Sequence, residues 1–107
     1  MSDSLRSINA PSPLIPDPPP ARTIFLRNSA RLSLAALFEQ QQRWDEAEMM
    51  LQSIDILSWN DVRWRALARI AIAKGETEKA KNLLEQLLET IPDSVFRQET
   101  ETLLLTL

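Results

Sequence analysis

Two nine-residue stretches decide the fold: RWDEAEMML at residues 43–51 and ETEKAKNLL at residues 76–84. They align without a gap at a spacing of 33 residues, and Ala47 and Ala80 occupy the same position in the two copies. A period of this length is typical of stacked helical units, each of which packs against its neighbour. The sequence therefore predicts two consecutive helical hairpins of the same design.

Few helix-breaking residues surround this repeat. Six of the seven prolines lie between Pro11 and Pro20, and the rest of the chain contains only Gly75 and Pro92 as breakers. A stretch so poor in turn residues predicts helices joined by short loops and disfavours a β-sandwich. The predicted fold is all-α, with antiparallel helical hairpins and about five helices in total.

The predicted domain boundaries follow from the positions of these breakers. Residues 1–21 are predicted to be a disordered proline-rich tail, which serves either as a linker or as a PxxP segment for an aromatic groove. Residues 22–107 are predicted to form the helical domain. Its parts are two hairpins at about 28–57 and 60–91, followed by a capping helix at about 94–107.

Apolar spacing predicts which face of each helix is buried. In the first helix Leu34, Leu37 and Phe38 are predicted to point inward. Asp45 is predicted to cap the second helix at its N-terminus, and Ser58 is predicted to cap the third. The inward residues predicted for the later helices are Trp44, Ala47, Met50, Leu51, Ile54, Leu57, Trp64, Leu67, Ala68, Ile70, Ala71, Ala80, Leu83, Leu84, Leu87, Leu88, Phe96, Leu103, Leu104 and Leu107.

The second hairpin resembles the tetratricopeptide repeat, whose pattern is W-x2-L-G-x2-Y, then A-x3-F, then P. Trp64, Leu67, Ala80 and Pro92 are identities with this pattern, whereas the first copy has Arg31 where the Trp belongs. The two hairpins and the final helix are also similar to the C-terminal part of bacterial tetratricopeptide-like proteins that accompany the Sec translocon. Small tetratricopeptide-like secretion chaperones are a second comparison.

This resemblance implies a binding surface, because the first helix of each hairpin lines the concave side of a tetratricopeptide stack. Arg65 and Arg69, one helical turn apart, are candidates to hold a partner's carboxylate; the alternative is an internal ion pair with Glu39 or Asp61. Trp59, between the hairpins, either fills a gap or is an exposed partner contact. The predicted concave residues are Leu32, Ala36, Glu39, Val62, Arg65, Arg69 and Ile72.

The composition argues against several other classes of function. Residues 28–107 contain nine basic and thirteen acidic side chains, a net charge of −4, which does not match the basic surface of a nucleic-acid-binding protein. The chain has no cysteine and no histidine, so thiol nucleophiles and the usual zinc ligands are missing. We expect no catalysis, no metal and no cofactor. Without a signal peptide or a membrane-spanning apolar stretch, the expected location is cytoplasmic.

Two functions remain open at this point. The first is a non-catalytic adaptor or chaperone-like module that binds a peptide or a helix of another protein. The second is a structural unit that associates with copies of itself by stacking hairpins. The incomplete first repeat leaves an open side at residues 22–33, which we expect either to extend the first helix or to contact a second chain.

Overall fold

The computed structural model describes residues 18–107, which contain five α-helices and one short 3-10 turn. No strand occurs within these residues, so the predicted all-α class is confirmed. The PxxP segment and most of the predicted tail lie outside the described residues. The helices are α1 (Ala21–Gln40), α2 (Trp44–Gln52), α3 (Asn60–Ala73), α4 (Thr77–Thr90) and α5 (Arg97–Thr106), and the 3-10 turn is Leu57–Trp59.

The helices form two hairpins and a final helix. α1 packs along α2, α3 packs along α4, and α5 packs against α4. Alanines at the closest approaches, Ala47, Ala68 and Ala80, are fully buried, and their small side chains let the helices come together while larger residues interlock around them. The main core joins both hairpins. Its buried residues are Ala35, Ala47, Leu51, Ile54, Trp64, Ala66, Leu67, Ile70 and Leu87.

The turns inside the two hairpins have the same backbone geometry. In the first turn the N–H of Arg43 donates to the carbonyl of Phe38 at 2.8 Å, and an equivalent bond of the same length closes the second turn. This bond is part of the Schellman motif, which requires a residue in the left-handed region. Gln42 (φ 60°) fills that position in the first turn and Gly75 (φ 77°) in the second. The 33-residue repeat is therefore present in the backbone as well as in the sequence.

Asp45 does not cap α2, contrary to the sequence prediction. The N-cap position belongs to Arg43, and Asp45 lies in the first turn of the helix. Its carboxylate accepts a hydrogen bond from Nζ of Lys74 at 2.8 Å, which lowers the pKa of Asp45 and raises the pKa of Lys74. Because the Schellman turn fixes where α2 begins, the carboxylate links the two hairpin turns.

The C-terminal end of α2 is also different from the prediction. The helix ends at Gln52 rather than near residue 57, and Leu57 is exposed. Ser58 belongs to the 3-10 turn, and no side-chain hydrogen bond caps α3. The link between the hairpins, residues 53–59, is therefore non-helical apart from this turn.

α1 begins at Ala21, earlier than residue 28, and it buries a different face from the predicted one. Leu34 and Leu37 are exposed, so their predicted inward orientation is wrong, although Phe38 does pack against the core. The fully buried positions of the helix are Asn28 and Ala35. A polar residue at the centre of the buried face hides that face from a search for apolar spacing.

Asn28 joins α1 to the link between the hairpins. Its side-chain Nδ2 donates to Oδ1 of Asp55 at 2.7 Å and to the carbonyl of Ile24 at 2.9 Å, and its Oδ1 accepts from the backbone N–H of Asp55 at 3.0 Å. Nη2 of Arg27 donates to the other carboxylate oxygen of Asp55 at 2.7 Å. These hydrogen bonds, first from Asn28 and then from Arg27, lower the pKa of Asp55. The contacts explain why the helix extends so far toward its N-terminus.

Candidate partner-binding surface

The predicted concave residues lie on α1 and α3, and α5 contacts α3 beside them. Two ion pairs connect these helices: Arg69 of α3 binds Glu39 of α1, and Arg65 of α3 binds Glu99 of α5. α5 therefore stands beside α3 as α3 stands beside α1, in the position that the first helix of a third unit would occupy. The surface therefore consists of three helices joined by two carboxylate–guanidinium contacts.

Arg69 is held by Glu39, one of the two internal partners expected from the sequence. Nη2 of Arg69 donates to one carboxylate oxygen at 2.9 Å, and Nε donates to the other. Glu39 is largely buried, and its carboxylate raises the pKa of the Arg69 guanidinium. The second expected partner, Asp61, instead accepts a hydrogen bond from the Ser94 hydroxyl at 2.6 Å. This contact attaches the start of the final helix to α3.

Arg65 is held from two sides. Its Nε and Nη2 donate to the two oxygens of Glu99 at 3.1 and 2.9 Å, and its guanidinium lies 4.6 Å from the centre of the Phe96 ring. Both arginines of the predicted pair are thus engaged inside the chain. A partner's carboxylate would have to exchange with Glu99 or Glu39.

A groove runs between α3 and α5 along this surface. We call it the α3–α5 groove; its cavity of about 200 Å³ is lined by Arg65, Arg69, Ile72, Glu99 and Leu103. It continues into an open depression of about 570 Å³ along α5, lined by Val95, Gln98, Glu99, Thr102, Leu103 and Thr106. Apolar side chains and paired charges therefore alternate along one shallow channel.

Sequence reasoning missed the contribution of α5 to this groove. Leu103 was predicted on the inward side of the capping helix, and no residue of that helix was included in the concave surface. The available signal was the repeat itself, since Arg65 and Glu99 are 34 residues apart, about one repeat length. Extending the period once more places α5 beside α3.

The remaining predicted residues lie at different depths. Ile72 is 37% exposed at the groove, whereas Val62 is half-buried. Leu32 packs against the core, so it contributes little to an open surface. Ala36 is exposed and, together with Glu39, Gln40 and Trp44, borders a separate depression of about 360 Å³. Of the predicted set, three residues line the α3–α5 groove, two border this second depression, and Leu32 and Val62 line neither.

Trp59 is not an exposed contact. Its indole is half-buried and packs against the core, and the ring of Phe25 meets it edge to face with centroids 5.8 Å apart. Arg31, which stands where the repeat pattern has Trp, donates to the carbonyl of Ser53 at 2.6 Å in the same region. The N-terminal half of α1 therefore covers the link between the hairpins, and the gap-filling alternative describes Trp59.

Residues 18–107 contain no cluster of three or more acidic side chains placed to hold a metal ion. Among the helices of the described region, none has the length and apolar character needed to cross a membrane.

Comparison with known proteins gives one match. No curated protein and no solved structure shows significant similarity to the chain. A family model described as "Tetratricopeptide repeat" matches residues 40–98, which include α2, α3, α4 and the start of α5. The pattern identities Trp64, Leu67, Ala80 and Pro92 all fall inside this range. Because the match covers more than half of the 107 residues and the hairpins repeat at the expected period, the chain belongs to the tetratricopeptide repeat family.

Proposed function

We propose that this chain is a non-catalytic adaptor or chaperone-like module that binds a peptide or a helix of a partner protein in the α3–α5 groove. Tetratricopeptide repeats are in general modules of protein–protein interaction. The observation that supports a site in this groove is the apolar edge of Ile72 and Leu103 beside Arg65 and Arg69, each of which is fixed in an ion pair. The cytoplasmic location and the similarity to Sec-associated proteins stay predictions.

The apolar residues of the groove supply the driving force for binding. Ile72 is partly exposed and Leu103 is half-buried, so a partner's apolar side chain would remove their remaining surface from water. Burial of apolar surface stabilises a complex in rough proportion to the area covered. A partner segment with one or two large apolar residues fits this surface best.

The paired charges supply orientation. Arg65 and Arg69 line the groove together with the apolar edge, and each is held in its ion pair by two hydrogen bonds. Fixed charges of both signs favour a partner with polar groups in one register and disfavour others. Binding therefore does not require a carboxylate on the partner. Where the partner has one, it would replace Glu99 or Glu39 as the group that binds the arginine.

The test uses a displayed library of random 15-residue peptides selected on the purified full chain. Affinities of the selected peptides are then measured by fluorescence anisotropy for the parent chain and for two variants. Ile72→Ser removes the apolar edge of the groove, and Met49→Ser makes a comparable change at an exposed residue of α2 outside the groove. We expect Ile72→Ser to weaken binding by about tenfold or more, and Met49→Ser to leave it unchanged.

Equal affinities for the parent and Ile72→Ser would place the peptide elsewhere and reject the groove. A further variant, Arg65→Gln with Arg69→Gln, separates the charged pair from the apolar edge. If the selected peptides lose affinity with this variant and carry a required acidic residue, carboxylate exchange is supported. If they do not, binding depends on the apolar edge alone.

A further inference from the structure

The side of α1 that faces away from the other helices is apolar and uncovered. Its leucines, Leu26, Leu34 and Leu37, are 54%, 43% and 47% exposed. Together with Ala30 and Ser33 they follow the helical spacing i, i+4, i+7, i+8 and i+11 and form one continuous stripe. We call these five residues the outer face of α1. α1 is thus apolar on two opposite sides, of which its hairpin covers one.

This outer face carries no charged side chain, and no other helix of the described region packs against it. Between Thr23 and Gln40 the helix has three charged side chains, and all of them bond away from this face. Arg27 binds Asp55, Arg31 binds the Ser53 carbonyl, and Glu39 binds Arg69. Surfaces that stay in water are normally rich in charge, whereas the centres of protein interfaces are depleted of it. The composition of the outer face is that of an interface.

We infer that the outer face of α1 is a self-association surface on which a second copy of this chain docks through its own α1, in an antiparallel pair. This inference concerns a different surface from the α3–α5 groove and does not depend on peptide binding there. An uncharged leucine stripe is complementary to itself, because two copies can meet without bringing like charges together.

The arrangement of large and small residues favours an antiparallel pair. Leucines stand at both ends of the stripe, and the small Ala30 and Ser33 stand near its middle. When two stripes run in opposite directions, Leu26 of one copy meets Leu37 of the other, and Ala30 meets Ser33. Small residues at the centre let the two helix axes approach to about 8–10 Å. The antiparallel arrangement also opposes the two helix dipoles.

The other end of the molecule differs from this outer face because its surface carries charge. It exposes Val95 and Leu105 together with the ion pair between Arg97 and Glu101. Head-to-tail stacking would therefore bury charged groups against the α1 leucines. A two-fold contact between like faces avoids this cost and closes after two copies.

The chain's own N-terminal segment is the competing occupant, because Leu14 and Ile15 lie close to α1 in the sequence. Pro18, Pro19 and Pro20 separate them from the helix, and Pro20 has extended backbone dihedrals of −63° and 152°. Three successive prolines form a stiff, extended connection, which does not supply the chain reversal needed to return along α1. The connection therefore favours a second copy.

Sedimentation velocity of the full chain from 1 to 200 µM tests the inference. A single helix pair buries less than the roughly 800 Å² per partner of a standard interface, so we expect a reversible dimer with a dissociation constant of about 10–100 µM. Leu34→Glu should raise this constant at least about tenfold, because it places a carboxylate in the uncharged contact. Leu105→Glu, the same change at an exposed leucine of α5, should leave it unaltered.

Cross-linking tests the direction of the helices. The chain has no cysteine, so single-cysteine variants give unambiguous products. Under oxidation, Leu26→Cys mixed with Leu37→Cys should form a mixed disulfide dimer. Leu26→Cys alone should not, because the two positions are about 16 Å apart along antiparallel helices.

Three results would overturn the inference. The first is a monomer at 200 µM, and the second is a dimer that Leu34→Glu does not weaken. The third is a monomeric parent that becomes dimeric only when Leu14 and Ile15 are replaced by Ser, which would show that the N-terminal segment covers α1.

Discussion

Asn28 has a structural role that is unusual for an amide side chain, since it is fully buried and lies at the centre of the face by which α1 meets the rest of the molecule. Three hydrogen bonds satisfy both ends of its amide, and two of them fix Asp55 in the link between the hairpins. Buried polar groups of this kind cost little while they are paired and much when one partner is removed.

The first prediction follows from this pairing. Replacing Asn28 with Ala leaves the backbone N–H of Asp55 without its acceptor, so we expect the free energy of unfolding to fall by about 1–3 kcal/mol. Urea denaturation followed by circular dichroism measures the change. Asn82→Ala, at an exposed position of α4, is the control and should lie within about 0.5 kcal/mol of the parent. A loss at Asn28 no greater than the control's would contradict the role of the amide.

Single residues also mark the limit of prediction from the sequence. The interior of the second hairpin was predicted from apolar spacing, and Trp64, Leu67 and Leu84 are indeed buried. In α1 the same reasoning chose Leu34 and Leu37, because they are the stronger apolar pattern. Spacing identifies an apolar stripe but not what covers it, and here the covered face is centred on an amide.

At the scale of elements, the two hairpin turns use one backbone conformation with different residues. Glycine enters the left-handed region without a steric cost, whereas a residue with a β-carbon is strained there by about 1 kcal/mol. Gly75 suits its turn, and Gln42 does not suit the equivalent turn. The first hairpin therefore closes with a built-in strain that the second lacks.

The second prediction concerns one substitution at each of these two positions. Gln42→Gly should raise the free energy of unfolding by about 0.5–1 kcal/mol, and Gly75→Ala should lower it by about 1 kcal/mol. A β-carbon at Gly75 meets no atom within 4 Å, so the effect there is conformational rather than steric. Thermal and urea unfolding of both variants give the two values. Changes of the same sign in both variants would show that the turns are not equivalent.

The elements that the sequence placed best are those bounded by breakers. α4 runs from Thr77 to Thr90 and ends close to the predicted end of the second hairpin at about residue 91, because Gly75 precedes the helix and Pro92 follows it. α1 begins directly after Pro20, but no breaker marks its end or either end of α2, and the left-handed residue between the two helices is a glutamine that no turn rule identifies. The start of α1 depends on contacts with residues 53–59, which lie far away in the sequence.

At the scale of the whole molecule, the helices differ in how extensively they pack against their neighbours. α1 and α2 pair along their lengths, as do α3 and α4, whereas α5 is attached mainly through α4 and the polar contacts of Ser94 and Glu99. In a repeat array each unit is stabilised by its neighbours, so a unit with one neighbour opens first.

The third prediction is a gradient of local stability. We expect backbone amides of α5 to exchange with deuterium at least about tenfold faster than those of α3 and α4 under native conditions. Exchange followed by mass spectrometry or NMR measures this directly. Glu99→Gln should accelerate exchange in α5 further, while Glu85→Gln, at an exposed position of α4, should not. Uniform protection across α3, α4 and α5 would show that the molecule opens as one unit.

In the candidate site, too, the repeat pattern predicts some of the residues, whereas tertiary contacts determine which groups those residues bind. The concave position of Arg65, Arg69 and Ile72 was inferred from the family resemblance, and the structure brings these three residues together in one groove. Of the two acidic residues that bind these arginines, only one was predicted. Glu39 was expected, but Glu99 belongs to the helix that was predicted only as a cap.

The exchange of carboxylates in the groove has a consequence for selectivity. When a partner's acidic group replaces Glu99 or Glu39, the number of ion pairs in the groove stays the same, so the charges add little net affinity. In the proposed complex these charges would instead select among segments, because a segment whose charge lies at a different position breaks an internal ion pair without forming a new one. In the proposed complex the apolar edge would determine how tightly a segment is held, and the paired arginines would determine which segments bind.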